Sequence, residues 1–221
     1  MKVSIVIFTL NEIDGMKVIM PRIKKEWYDE LVIVDGGSTD GTIEYTKENG
    51  YFIFTQKEKG AGAAFTEAIE KVTGDVVIIM SPDGNSLPSA IPDLIEKMKE
   101  GYDLVIASRY LKGAKSDDDD VLTAFGNWFF TTLTNLLFGT KYTDTLVMYR
   151  AFKKEIVENL GIATRTPCWG SLMLIRATKK KLKITEIPAD EPARIGGKRK
   201  MRPFVNGFYE LITILKEFFV R

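Results

Sequence analysis

The sequence predicts an α/β domain built on a mostly parallel central sheet with helices on both faces. Short apolar runs at residues 3–8, 31–34, 52–54, 76–80 and 104–107 alternate with amphipathic stretches at 14–25, 42–48, 61–72 and 88–99. An apolar run of four to six residues bounded by turn residues marks a strand buried on both faces, and helices spaced between such strands cover a parallel sheet. The length of 221 residues, with 45% hydrophobic and 28% charged, fits one large folded domain over 1–221.

Taken in order, residues 3–8 form a first strand. They lack the longer apolar core and small-residue cleavage site of a signal peptide and end at polar Thr9, Asn11 and Glu12. The helix at 88–99 has Ser86 or Pro88 at its start and Gly101 just past its end. No internal repeat or low-complexity linker interrupts the chain. After residue 110 the character changes. An acidic run at 117–120 precedes an aromatic-rich helix at 121–138, a strand at 146–152, a helix at 172–181 and a strand at 183–187. A basic loop at 194–202 leads to an amphipathic helix at 204–220, where Phe204, Phe208, Leu211, Ile212, Leu215, Phe218 and Phe219 recur at spacings of three and four. The longest uncharged stretch, 121–140, has the length of a membrane span. Thr123, Asn127, Thr131, Thr132, Thr134 and Asn135 would be costly in lipid, so it is read as a soluble or interfacial helix. The expected location is the cytoplasm, peripheral at the cytosolic face of a membrane.

Composition excludes whole classes of chemistry. Thirty-one Lys and Arg against 30 Asp and Glu leave a charge of +1, without the basic excess of a nucleic-acid binder. There is no histidine, which removes His general bases, Ser-His-Asp and Cys-His catalysis and imidazole zinc sites. The single cysteine, Cys168, permits no intrachain disulfide and, in a chain with no histidine, no Cys-His pair; with Trp169 it is assigned to packing.

In an open parallel sheet, ligands bind beyond the carboxyl ends of the strands. Those ends carry Thr9-Leu10-Asn11-Glu12, then Asp35-Gly36-Gly37-Ser38-Thr39-Asp40-Gly41-Thr42, then Ser81-Pro82-Asp83-Gly84-Asn85, then Ser108-Arg109. Three of the four carry a carboxylate. Asp83 and Asn85, at i and i+2, can turn two oxygens toward one hard cation. The plainer reading of the glycine-rich segments is a turn, the first leading into a helix capped by Ser38, Thr39 or Asp40. Gly60-Ala61-Gly62 lacks the third glycine of a dinucleotide fingerprint, and no phosphate-loop Gly-x-x-x-x-Gly-Lys-Ser/Thr is present.

The succession Val-Ser-Ile-Val-Ile-Phe-Thr-Leu-Asn-Glu, Val-Asp-Gly-Gly-Ser-Thr-Asp-Gly-Thr, Lys-Gly-Ala-Gly-Ala-Ala, Gly-Asp-Val-Val-Ile-Ile-Met-Ser-Pro-Asp-Gly-Asn and Asp-Leu-Val-Ile-Ala-Ser-Arg resembles, over about the first 110 residues, family 2 glycosyltransferases of the Rossmann-like GT-A fold. Within them it is most similar to the polyprenyl-phosphate (dolichyl-phosphate) mannose or hexose synthase group. Arg194-Ile-Gly-Gly-Lys-Arg-Lys200, following Ile184-Thr-Glu-Ile-Pro188, resembles that group's Arg-x-x-Gly-x-Ser-Lys after a Glu-Ile/Val-Pro strand.

The resemblance implies roles. Residues 1–110 would bind the nucleotide-diphosphate sugar, through Thr9, Leu10, Asn11, Glu12, Asp35, Gly37, Gly60, Ser81 and Pro82. Residues 111–221 would bind the acceptor. Asp83 and Asn85 would hold Mg²⁺ or Mn²⁺, although Ser81 stands where the family has a first Asp. Arg109, Arg194, Arg199 and Lys200 would bind the acceptor phosphate or the leaving diphosphate, and Asp83, Arg109, Arg194 and Lys200 would carry catalysis. The implied partners are a GDP- or UDP-sugar and a polyprenyl phosphate, with no nucleic acid. Departures lie in the second half. Asp144-Thr-Leu-Val-Met-Tyr-Arg150 replaces the family's Asp-x-x-Ser-Gly-Phe/Tyr-Arg, and an acidic run stands where relatives are basic.

This chemistry suits a chain without histidine. A phosphate monoester, with a second pKa of about 6, is already a dianionic nucleophile at neutral pH and needs no general base. The expected reaction is therefore inverting transfer of a hexose to a polyprenyl phosphate. One alternative is a glycan or glycolipid hydroxyl acceptor with Asp144 as base; another is a nucleotide-sugar-binding protein without turnover. A nucleotidyltransferase would need a basic glycine-rich loop where 9–12 has none. The loop with Arg194, Lys198, Arg199, Lys200 and Arg202 is an anion cradle or a solvated surface. Phe125, Trp128, Phe129, Phe130, Phe138 and the last helix are either ordinary core or a platform for a polyprenyl chain. Lysines at 179–183 are a solvated face or a contact to anionic lipid. The acidic run is expected to be a solvated loop.

Overall fold

The computed structural model describes residues 1–162, 167–197 and 199–220. Its first half alternates strand and helix: β1 (Val3–Thr9), α1 (Ile13–Ile19), β2 (Glu30–Asp35), α2 (Thr42–Glu48), β3 (Phe52–Thr55), α3 (Ala61–Lys71), β4 (Val76–Met80), α4 (Ile91–Lys99) and β5 (Leu104–Ser108). Then come α5 (Val121–Phe138), β6 (Arg150–Lys153), α6 (Glu155–Asn159), α7 (Trp169–Lys179), β7 (Ile184–Pro188) and α8 (Pro203–Phe219). One seven-stranded sheet of order β3-β2-β1-β4-β6-β5-β7 runs through both halves. All neighbours are parallel except β6, which lies antiparallel between β4 and β5.

Side chains alternate across the pleat, so each strand feeds two cores. Ile5, Ile7, Ile78 and Met80 pack under α1 and α4. Val6, Val77, Ile79 and Phe152 pack against α3, α6 and α7. There Trp169 is fully buried, stacked on Phe65 at 4.4 Å, which accounts for its place in packing.

Several expectations change. The helix expected at 14–25 stops at Ile19, because Pro21 removes a backbone donor and the chain tightens into 3₁₀ turns. The strand expected at 146–152 begins only at Arg150; the preceding residues form a turn bound by the Asp144 carboxylate, which accepts from Val147 N at 3.2 Å. β3 is not a buried strand but an edge strand, with Phe52 57% exposed.

Asp103 ties the starts of β5 and β7 to the end of the antiparallel β6. Its carboxylate takes Lys153 Nζ at 2.6 Å and Lys183 N at 2.8 Å. Burial pushes its pKa upward, but these donors outweigh it and hold the pKa below 3.8. A folded-state pKa below the unfolded one stabilises above the unfolded value and ceases to do so as pH falls through the folded one. Asp103→Asn is therefore expected to melt earlier than the wild type at neutral pH, with the gap closing below about pH 4; thermal melts across pH check this.

Candidate functional site

The β1, β2 and β4 ends converge on one rim. After β1, Asn11 adopts a left-handed conformation (φ 53°), and its side chain accepts from Thr39 N at 2.8 Å while its own N donates to Ser38 Oγ at 2.8 Å. Glu12 N donates to Thr42 Oγ1 and Ile13 N to Asp40. These bonds stitch the β1 and β2 loops into one unit.

Asp35 organises that unit from within. It is fully buried and accepts from Gly37 N, Ser38 N, Ser38 Oγ and Thr9 Oγ1 at 2.5–2.8 Å. Both oxygens are consumed by the turn, so the expected contact from Asp35 to a nucleoside is closed in this geometry. Thr9, buried beside it, shares that task. Of the residues expected to bind the nucleotide, Leu10, Gly37 and Gly60 are exposed, and Asn11 and Ser81 are half-buried. Gly60 immediately precedes α3.

The β4 loop carries Ser81, Pro82, Asp83 and Asn85. Asp83 is buried; its Oδ2 takes Arg194 Nη2 at 2.6 Å and its Oδ1 takes Asn85 N at 3.1 Å. Pro82 O lies so close to α1 that a Cβ on Gly15 would sit 2.2 Å from it. Gly15→Ala is expected to displace the 81–85 loop and lower donor affinity at least tenfold while the chain still folds; nucleotide titration alongside circular dichroism checks this.

Glu12, buried, receives Lys200 Nζ at 2.8 Å and Arg194 Nη1 at 3.3 Å. Burial raises its pKa against the pull of these cations. The loop reaches Glu12 through Gly196 and Gly197, both left-handed (φ 64° and 63°); a Cβ on Gly196 would meet Asp14 Oδ2 at 2.6 Å. Through Arg194 and Lys200 the basic loop is thus folded down onto the rim carboxylates, while Arg202 at its end is exposed. Lys198 lies outside the described residues.

The acidic run is solvated only at Asp117 and Asp120. Asp118 accepts from Asn85 Nδ2 at 2.9 Å, Arg199 Nη2 at 2.7 Å and Arg194 N at 3.1 Å. Asp119 pairs with Arg109 and the Tyr110 hydroxyl, and Asp120 caps α5 through Thr123 N. Asp118 is a site residue that charge-run reasoning misses, because its basic complement lies some eighty residues downstream. Glu191 is another: it is buried, its pKa is raised by burial, and it contacts Asn85, Arg109 and Ser116.

Arg109 is held by carboxylates. It makes a bidentate pair with Asp144 at 2.6 and 3.0 Å and reaches Glu191 at 3.2 Å. Burial works against its charge, but Asp144, Glu191 and Asp119 outweigh that and keep it firmly protonated. In this geometry Arg109 is committed to scaffolding and offers no free face to a phosphate. Asp144 is fully buried with both oxygens taken, by Arg109 and Val147 N, which removes it as a general base.

The residues at Asp83 fit a hard cation. Asn85 Oδ1 is buried and has no hydrogen-bond partner among the described residues, and the Asp83 carboxylate already faces a positive group, Arg194. One carboxylate and one amide oxygen leave most positions of an octahedral ion to other ligands. Among the described residues no group of three His, Cys, Asp or Glu could hold a metal alone. Such an ion therefore suits a site where a diphosphate supplies the remaining oxygens.

The helices next to this rim are inside out. α5 buries Asn127, Thr131 and Thr134 while exposing Val121, Phe125, Trp128 and Leu136. α8 packs on α5 and α7, burying Glu210, Ile214 and Glu217 while exposing Phe204, Phe208, Ile212 and Phe219. The two readings of the aromatics divide: Phe125, Trp128 and Phe129 form an outward apolar face, while Phe130 and Phe138 are half-buried, Phe138 against Phe218 of α8. Lys179 is tied to α8, donating to the carbonyls of Glu217 and Val220. No helix among the described residues is long and apolar enough to cross a membrane.

Comparison with known proteins agrees with this layout. The chain is 31% identical to a dolichol-phosphate mannosyltransferase of Pyrococcus furiosus, the match covering 91% of this chain and 60% of that protein. It is 28% identical to a dolichyl-phosphate hexose transferase of Haloferax volcanii, covering 92% and 88%. The chain thus spans about three fifths of the first relative's length. Glucosyl-3-phosphoglycerate synthase from Mycobacterium tuberculosis, solved with Mn²⁺, UDP-glucose and phosphoglyceric acid, superposes over 100% of this chain and 80% of its own with a TM-score of 0.72 at 22% identity, which shows a shared GT-A fold. Residues 4–161 match Glycosyl transferase family 2, and the chain belongs to that family.

Proposed function

We propose that this protein transfers a hexose from a nucleoside-diphosphate sugar to the phosphate of a polyprenyl phosphate, with inversion at the anomeric carbon, at the cytosolic face of a membrane. The observation that carries the acceptor class is where the apolar helices begin. α8 starts directly after the basic loop, and Arg199 of that loop donates to Thr123 in the first turn of α5. A lipid phosphate has this layout: an anion at the loop and an apolar tail along the outward faces of α5 and α8. The names of the relatives support the same acceptor.

In this reading residues 1–110 bind the donor and 111–221 the acceptor. Glu12, Asn11, Leu10 and the exposed backbone surface at Gly37 and Gly60 take the nucleoside side, with Asp35 and Thr9 fixing the turn that presents them. Asp83 and Asn85 would hold Mg²⁺ or Mn²⁺, whose charge, when bound, offsets that of the donor diphosphate. The donor competes for the carboxylates that now hold the basic loop, and so releases Arg194 and Lys200 toward the acceptor. Arg194, Arg199 and Lys200 then orient the acceptor phosphate. One of its oxygens forms a bond to the anomeric carbon as the bond to the diphosphate breaks, and the nucleoside diphosphate leaves. No residue has to remove a proton, which fits a site where Asp144 is sealed. Arg109 supports the reaction by holding Asp144 and Glu191 in place.

The test is transfer from a panel of labelled GDP- and UDP-sugars in the presence of Mg²⁺ or Mn²⁺, with and without a short polyprenyl phosphate. Labelled lipid from one donor is expected. Donor binding without labelled lipid would support the reading as a binding protein without turnover.

A further inference from the structure

An amide ligand is useful to a hard cation only through its oxygen, and a free amide can present either pole. Asn85 is not free. Its Nδ2 points at two carboxylates, Asp118 Oδ2 at 2.9 Å and Glu191 Oε1 at 3.4 Å. Carboxylates only accept, so the nitrogen must face them, and Oδ1 is left buried, with no hydrogen-bond partner among the described residues, two residues from Asp83. Glu191 is already engaged by Arg109 at 3.2 Å and by Ser116 Oγ at 2.5 Å, so the nearer Asp118 dominates the orientation. Asp118 is itself held by Arg199 at 2.7 Å and by Arg194 N at 3.1 Å.

We infer that Asp118 is a positioning residue: it fixes the Asn85 amide with its oxygen free for the divalent cation and ties that orientation to the basic loop. The inference rests on the proposed reading of Asp83 and Asn85 as cation ligands. Hydrogen-bond partners that orient metal ligands are typically worth about 10- to 100-fold in metal affinity.

The test is titration of the full chain with Mn²⁺, followed by electron paramagnetic resonance in the presence of GDP and, separately, UDP. Asp118→Ala is expected to weaken Mn²⁺ binding by about tenfold or more, with the metal-free melting temperature retained. Should it not fold, Asp118→Ser, too short to reach the amide, takes its place. Asp118→Asn, whose carbonyl still accepts from Asn85, is expected to bind close to wild type. In an Asn85→Ala background the effect of Asp118→Ala should vanish. Loss in Asp83→Ala with wild-type binding in Asp118→Ala would overturn the positioning role alone. Equal loss in Asp118→Asn and Asp118→Ala would assign the effect to net charge and overturn it too. Wild-type binding in Asp83→Ala would remove the cation reading itself, and this inference with it.

Discussion

Asp83→Ala is expected to lower hexose transfer by about a hundredfold or more, because the contribution of a bound cation to a developing diphosphate charge is several kcal/mol, at 1.36 kcal/mol per tenfold in rate. The variant also frees Arg194 from its 2.6 Å contact, so the basic loop should lose protection in hydrogen exchange while the sheet keeps it. The measurement is initial rate over a Mn²⁺ titration, with donor binding followed in parallel. Wild-type turnover in Asp83→Ala would show that the Ser81–Asp83 loop holds no catalytic ion.

A triple substitution of Phe125, Trp128 and Phe208 by Ser is expected to abolish binding to vesicles containing polyprenyl phosphate. These rings are 58%, 60% and 62% exposed. Each leaves roughly 100 Å² free, about 2 kcal/mol if buried in a membrane interface, so their joint removal should cost at least a hundredfold in partitioning. Because they face solvent, the melting temperature should not fall. Activity on a short-chain soluble acceptor should persist, since no ring touches the rim carboxylates. Sedimentation with vesicles separates the outcomes: undiminished binding would place the membrane contact elsewhere.

Much of this was legible in the sequence. The strands ending at Thr9, Asp35, Met80 and Ser108 were marked by buried β-branched runs, and their rim position followed from the parallel topology. Helix α5 was bounded correctly because nothing in 121–138 breaks it. Its inverted orientation also leaves a signal, the polar residues Asn127, Thr131 and Thr134 at helical spacing, but these mark a polar face without saying whether the protein or the solvent covers it. What was hidden required three dimensions. Apolar periodicity has no direction, so the antiparallel β6 could not be read. Asp35 and Arg109 look like ligand-binding side chains in one dimension; only the folded turn shows four donors closing on one and Asp144 closing on the other. Asp118 and Arg199 are remote in sequence, so a run of acids looked solvated until its complement was placed beside it.

The acceptor class is the central claim, and head-group discrimination tests it most directly. With the preferred labelled donor and one divalent ion, polyprenyl phosphate, the matching polyprenyl alcohol and a soluble glycan would be offered in parallel at equal concentration. Labelled product from the phosphate alone, insensitive to Asp144→Asn beyond its effect on stability, is the result expected of a site that binds an anion and removes no proton. Glycosylation of the alcohol or the glycan at a comparable rate would contradict it.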